Sequence, residues 1–238
     1  MQQRNLGKSG LQVSVVGLGC NNFGGDRIDL EAARKVVHKA LDLGITLIDT
    51  ADVYGNRGGS EENLGRVLGS LRKQVILATK FGMDMGGLNG NDFGARGSRR
   101  YIVRAVEASL RRLETDHIDL YQMHEPDPAT PIDETLAALD DLVRSGKVRY
   151  LGNSNFAGWQ IADADWTARA GNRTPFISAQ NRYSLLHREP EAEVLLACQH
   201  FGLGFLPFFP LDSGLLSGKY RRGEAPPAGS RMTFLETT

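Results

Sequence analysis

Short apolar runs recur along this chain at a nearly constant pitch, and that repeat limits its fold more than any other feature. Runs rich in Val, Ile, Leu and Phe occupy residues 15–19, 45–49, 75–79, 118–123, 148–152, 176–180 and 204–206, and their starts lie 30, 30, 43, 30, 28 and 28 residues apart. Helical periodicity fills the gaps at 30–43, 61–71, 99–113, 132–145 and 191–201; Pro131 opens one stretch, and Gly44, Gly146 and Gly202 close three of them. The strands run apolar almost throughout, as expected of parallel strands in a sheet covered on both faces. The pattern predicts an α/β fold, a (β/α)8 TIM-type barrel forming a single domain over residues 1–238, more than an open doubly wound sheet. The stretch from Gly17 to Phe23 also lacks the third glycine of the G-x-G-x-x-G dinucleotide fingerprint. Two short segments around the turn at Gly7 to Gly10 predict an N-terminal β-hairpin covering one end. Seven strands are counted and the last stretch, 222–238, reads as a Gly- and Pro-containing tail. The barrel is therefore expected to lack its C-terminal eighth unit, and the natural protein to continue for about one or two more βα units.

Composition excludes several alternatives. The 28 Lys and Arg balance 28 Asp and Glu, with a pI near 7.0, so no global field exists to hold nucleic acid or an acidic membrane. With 41% hydrophobic and 24% charged residues the chain can bury a sizeable core. Cys20 and Cys198 are too few for a disulfide framework or a thiolate metal site, which predicts a reducing, cytoplasmic setting. The first residues are too polar for a secretory signal. The uncharged run 194–211 is broken by Gly202, Gly204, Pro207 and Pro210, and reads as a helix end followed by a strand.

In a barrel of this kind the reactive residues sit at the C-terminal ends of the strands. Read there, the chain places Asp49 and Tyr54 behind the second strand, Lys80 at the end of the third and His124 at the end of the fourth. A phenol has an ordinary pKa of about 10 and is a poor acid near neutrality. A neighbouring ammonium stabilises the phenolate, a carboxylate keeps that ammonium charged and aimed, and an imidazole can hold a carbonyl oxygen within reach. Together the four would protonate a carbonyl while something else delivers hydride. Each residue alone has a plainer reading: Asp49 a strand-end turn, Tyr54 a loop aromatic, Lys80 a solvated strand end, His124 a satisfied core histidine. Four such residues on three consecutive strand ends make a joint accident improbable. A strand-end lysine can also attack a carbonyl covalently, so a Schiff-base lyase acting through Lys80 stands as an alternative.

These residues lie in segments that resemble the aldo-keto reductase family. GITLIDTADVYG (44–55) with SEENLG (60–65) is similar to its second-strand signature, and DLYQMHEPD (119–127) to its fourth. GKVRYLGNSNF (146–156), QNRYSLLHR (180–188) and PLDSGLLSGKY (210–220) resemble three further blocks, so the likeness runs from about residue 11 to 222. It implies an oxidoreductase that reduces aldehydes or ketones to alcohols with NADPH (NADP+) and no metal. Tyr54 would be the general acid, Lys80 and Asp49 its tuning pair, and His124 the residue orienting the carbonyl. Cofactor contacts are implied at Gly19, Cys20, Asp49, Ser154, Asn155, Gln180, Phe208, Leu211 and Ser213. Ser154, Asn155 and Gln180 would hold the nicotinamide carboxamide, and Phe208, where the family usually has Tyr or Trp, would stack on the ring. Phe209 and Asn153 depart from the family pattern. The expected partner is a small-molecule carbonyl compound, with no nucleic acid and no membrane, and the oligomeric state is left open. Some relatives act as cofactor-holding regulatory subunits of ion channels, and a binding role with slow turnover is the second alternative.

Three remaining features receive plainer expectations. The glycine-rich stretch 83–94 reads as a mobile substrate loop, Trp159 and Trp166 as a buried helix face, and the pairs Arg99–Arg100, Arg111–Arg112 and Arg221–Arg222 as solvated positions.

Overall fold

The computed structural model describes residues 1–228, 230 and 233. Seven parallel strands form one sheet in chain order: β3 (Gly17–Gly19), β4 (Leu47–Asp49), β5 (Ile76–Phe81), β6 (Ile118–Met123), β7 (Val148–Ser154), β8 (Phe176–Arg182) and β9 (Gly204–Phe208). The sheet curls into a half-barrel of the TIM type, as the repeat predicts. A hairpin of β1 (Gln3–Asn5) and β2 (Gln12–Ser14) precedes it, paired antiparallel with Arg4 opposite Val13. Among the described residues six α-helices alternate with the strands: α1 (Leu30–Asp42), α2 (Tyr54–Leu68), α3 (Arg99–Arg112), α4 (Ile132–Arg144), α5 (Gly158–Ala170) and α6 (Val194–Phe201). Residues 194–211 do contain a helix end followed by a strand. Among the described residues no helix is long and apolar enough to cross a membrane.

Strand alternation sorts the side chains into two layers. Outward residues such as Leu77, Phe81, Tyr121 and Leu151 pack beneath the helices in the main core, where the Phe81 and Tyr121 rings stack at 4.8 Å. Inward residues Leu47, Ala78 and Leu120 meet Leu6, Leu11 and Val13 of the hairpin, which closes the floor of the half-barrel. The hairpin turn is tied to the end of α6 by Lys8 N–H donating to Gly202 O at 2.8 Å. Pro207 falls in β9, the last strand of the sheet, where a missing N–H breaks no central ladder.

The structure corrects three expectations about helices. The stretch expected to be helical over 61–71 falls within α2, whose regular helix follows the left-handed residues 55–58 and ends at Leu68 before a 3-10 turn (Gly69–Gln74). The last helix starts at Val194, not 191, after a 3-10 turn (Glu189–Glu191) opened by Pro190. Trp159 and Trp166 lie on α5 but are 65% and 63% exposed. The face that α5 buries carries Ile161, Ala164, Asp165 and Ala168, and the seven-residue spacing puts both tryptophans together on the other side.

Candidate active site

Strand register brings the polar side chains to one mouth. Lys80 on β5 is opposite Gln122 on β6, Gln122 is opposite Gly152 on β7, and Ser154 is opposite Gln180 on β8. A Cβ on Gly152 would lie 2.5 Å from Ser178 Oγ and 3.1 Å from Gln122 Cγ, so only glycine leaves Gln122 room to cross the interior. Gln122 Nε2 then donates to Asp49 Oδ1 at 2.9 Å, and Gln180 Nε2 donates to the same oxygen at 3.1 Å. The second carboxylate oxygen accepts from Lys80 Nζ at 2.6 Å. Lys80 is fully buried and also donates to Thr50 O at 2.9 Å and to Tyr54 OH at 3.5 Å.

Tyr54 is held by an unusual turn. Gly55, Asn56 and Arg57 take left-handed angles in succession (φ +64°, +60°, +65°) and Gly58 follows at φ +123°, so regular helix begins only beyond them. Two of these are not glycines and carry strain of about 1 kcal/mol each, which the packing around the turn must offset. At Gly55 no other residue fits, because a Cβ would lie 2.4 Å from Phe23 O. The phenol ring meets His124 edge-on at 5.6 Å and 85°, and Lys80 Nζ stands 5.0 Å from its centre.

Electrostatics keep both proton carriers in defined states. Burial pushes the Lys80 ammonium towards neutrality, but Asp49 and Tyr54 together outweigh it and hold the charge. Burial raises the Tyr54 phenol above its ordinary value, and the pull of Lys80 only partly opposes that rise. The phenol therefore keeps its proton near neutral pH. Burial, reinforced by Lys80, lowers His124 to about 3, so the imidazole is neutral at physiological pH, and its Nδ1 makes no hydrogen bond to the described residues.

The other expected residues reach this centre to different degrees. Asn155 Nδ2 donates to His124 O at 2.9 Å and to Ser154 Oγ at 3.1 Å, and its backbone N–H donates to Gln180 O at 3.0 Å. Ser154, Asn155 and Gln180 thus share one rim, with hydroxyl and amide groups of the kind that match the donor and acceptor of a carboxamide. Cys20 N–H donates to Asp49 O at 2.8 Å while its side chain is wholly buried, and Gly19 beside it is open to the mouth. Phe208 ends β9 with its ring 5.3 Å from that of Phe209. Leu211 and Ser213 lie farther along, around the 3-10 turn (Asp212–Ser217), which Arg182 ties to the barrel through Asp212 at 2.7 Å.

Several participants carry no mark in a linear reading. Gln122 could have been found, since period two from His124 puts both on the inward face of β6. Arg112, expected on a solvated face, instead donates from Nε to Glu61 Oε2 at 2.7 Å; Glu61 is wholly buried and accepts from Thr79 Oγ1 at 2.6 Å through its other oxygen. Residues 83–94, expected as a mobile loop, bury Met85 and Asn89 at 1% and 4% exposure.

A sequence model of the aldo/keto reductase family matches residues 15–236. An uncharacterized oxidoreductase of Bacillus subtilis is 43% identical over 94% of this chain and 71% of its own. The L-glyceraldehyde 3-phosphate reductase of Escherichia coli is 38% identical over 98% of this chain and 67% of its own. A protein of Arabidopsis thaliana named as a probable voltage-gated potassium channel subunit beta is 37% identical over 98% and 71%.

Proposed function

Because this chain belongs to the aldo/keto reductase family, an oxidoreductase family of carbonyl chemistry, we propose that it reduces an aldehyde or ketone to the alcohol with NADPH, with Tyr54 as general acid. The contact of Lys80 with both Asp49 and Tyr54 carries this reading. When bound, the nicotinamide supplies the hydride that the carbonyl carbon accepts. The Tyr54 O–H bond breaks as its proton passes to the carbonyl oxygen, and the charge left on the phenolate faces the Lys80 ammonium, which Asp49 keeps in place. Neutral His124 can donate an N–H to the same oxygen without competing as an acid. Ser154, Asn155 and Gln180 would orient the carboxamide and so fix which ring face is presented; orientation supplies much of the rate in a transfer between two bound molecules. Phe208 would stack on that ring.

The purified chain should oxidise NADPH with 4-nitrobenzaldehyde as probe. Tyr54→Phe should lower kcat by about 10²-fold or more while NADPH still binds, since only the donated proton is lost. Unchanged turnover in that variant would remove Tyr54 from the mechanism.

The name of the Arabidopsis relative favours a second reading, a cofactor-holding subunit of a larger assembly with slow turnover. Turnover near the detection limit together with a stable complex with another protein would support it. The lyase alternative is weakened by the surroundings of Lys80, since an ammonium held charged by Asp49 has no lone pair for attack. Borohydride trapping of an imine on Lys80 would restore it.

A further inference from the structure

Behind the sheet, outside the proposed proton-transfer set, lies a buried polar chain that joins the third βα loop to the segment carrying Tyr54. Asn89, in the middle of residues 82–98, donates from Nδ2 to Asp52 Oδ2 at 3.1 Å and to Tyr101 OH at 3.4 Å, and its Oδ1 accepts from Arg112 Nη1 at 3.3 Å. Asp52 is wholly buried and stands two residues before Tyr54. Arg112 spends its Nε on Glu61, so the chain runs Asp52, Asn89, Arg112, Glu61 and connects the loop to the start of α2 and the end of α3. A second tie crosses on the solvent side, where Arg57 Nε donates to Asp84 O at 3.2 Å, three residues after Tyr54. The loop therefore grips the Tyr54 segment from both directions along the chain.

The chemistry of the central position is narrow. Its occupant must donate to the wholly buried carboxyl group of Asp52 and accept from the partly buried guanidinium of Arg112 at once, on a stem short enough for a loop already packed at Met85. A primary amide does both. An aspartate there would set another acidic group against Asp52, whose carboxyl group burial and Glu61 already hold well above its ordinary range, and an alanine would leave Asp52 Oδ2 and Arg112 Nη1 without the partner Asn89 supplies, where an unmade hydrogen bond is expensive.

We propose that Asn89 is a positioning residue for substrate: by bridging Asp52 and Arg112 it holds residues 82–98 as a fixed wall of the mouth beside Tyr54, so that affinity for the carbonyl compound depends on it. The kinetic consequence rests on the proposed reductase function, whereas the fixed wall does not.

The test uses the full chain with three changes: Asn89→Ala, Asn89→Asp, and the exchange of the pair, Asp52→Asn with Asn89→Asp. Asn89→Ala should raise KM for 4-nitrobenzaldehyde about tenfold, the usual scale for one buried hydrogen bond, with kcat and the Kd for NADPH changed less than about threefold. Amide hydrogen exchange over residues 84–94 should quicken by about tenfold or more in Asn89→Ala and Asn89→Asp, while exchange in β5 and β6 stays as in the parent, which separates release of the loop from general loosening. The exchanged pair should bring both KM and loop exchange back towards the parent, because donor and acceptor have only traded places and Arg112 still faces an acceptor. Unaltered exchange over 84–94 in Asn89→Ala overturns the proposal, and so does failure of the exchanged pair to restore it. If the parent protein shows no turnover, the reductase function falls, and the exchange measurements alone decide whether Asn89 fixes the wall.

Discussion

Asp49 and Lys80 form one ion pair, yet their surroundings make them unequal partners. The ammonium is fully buried and, among the described residues, donates besides Asp49 to Thr50 O and the distant Tyr54 oxygen. The carboxylate is 18% exposed and has two further donors, from Gln122 and Gln180. Asp49→Asn should therefore strand a buried cation and cost about 3–5 kcal/mol of stability. Lys80→Met leaves an anion that still has amide donors and water, and should cost about 1–3 kcal/mol. Urea unfolding of both variants at pH 7 measures the difference, and a larger loss in Lys80→Met would contradict this account of where the burial penalty falls. At this scale Asp49, Tyr54, Lys80 and His124 were legible because strand ends mark the mouth of a barrel before any coordinates are known. Asn89, Glu61 and Arg112 were not, since each derives its meaning from a partner on another element, as Glu61 does from an arginine 51 positions away.

Among the elements, α5 departs furthest from its sequence. Its buried side is made of small residues and one acid, Ala164, Ala168 and Asp165, with Ile161 the only large aliphatic. Its bulkiest residues face solvent, where Trp166 meets Phe201 edge-on at 5.8 Å. Apolar periodicity therefore pointed to the wrong face. Ile161→Ala, at 1% exposure, should cost about 2–5 kcal/mol through the cavity it opens, while Trp159→Gln should stay within about 0.5 kcal/mol of the parent. A comparison of urea midpoints at unchanged m-value checks the pair, and a costly Trp159→Gln would mean that the tryptophan face is covered in solution. The turn at 55–58 escaped the sequence for a different reason. Asparagine tolerates left-handed angles, but a run of them through Asn56 and Arg57 is not a local preference of this stretch, and the arginine takes its place there against its own.

The molecule as a whole should register His124 as acid sensitivity. The folded state holds this imidazole down to about 3 by burial and the nearby Lys80, whereas in the unfolded chain it titrates near 6.5. Between those values the unfolded chain takes up a proton that the folded chain refuses. Its contribution to stability is thus intact above about pH 6.5 and is lost on acidification towards pH 3, at up to about 1.4 kcal/mol per pH unit. Urea titrations from pH 7 to pH 4 should show His124→Gln losing less stability over that window than the parent, and parallel losses would sink the assignment. The barrel type, the order of its strands, the hairpin and the rim that gathers the candidate catalytic residues were all decided within the linear chain. Strand and helix periods, and the glycines that stop helices, are properties of contiguous backbone, and a repeated βα unit admits few topologies. Tertiary structure alone decided which polar groups leave water and whom they meet there: Gln122 across the interior on Asp49, Arg112 on Glu61, Asn89 on Asp52, and the tryptophans of α5 facing out. Those outcomes depend on burial and on partners many residues away, and a buried charge or amide is tolerated only where folding happens to deliver its complement.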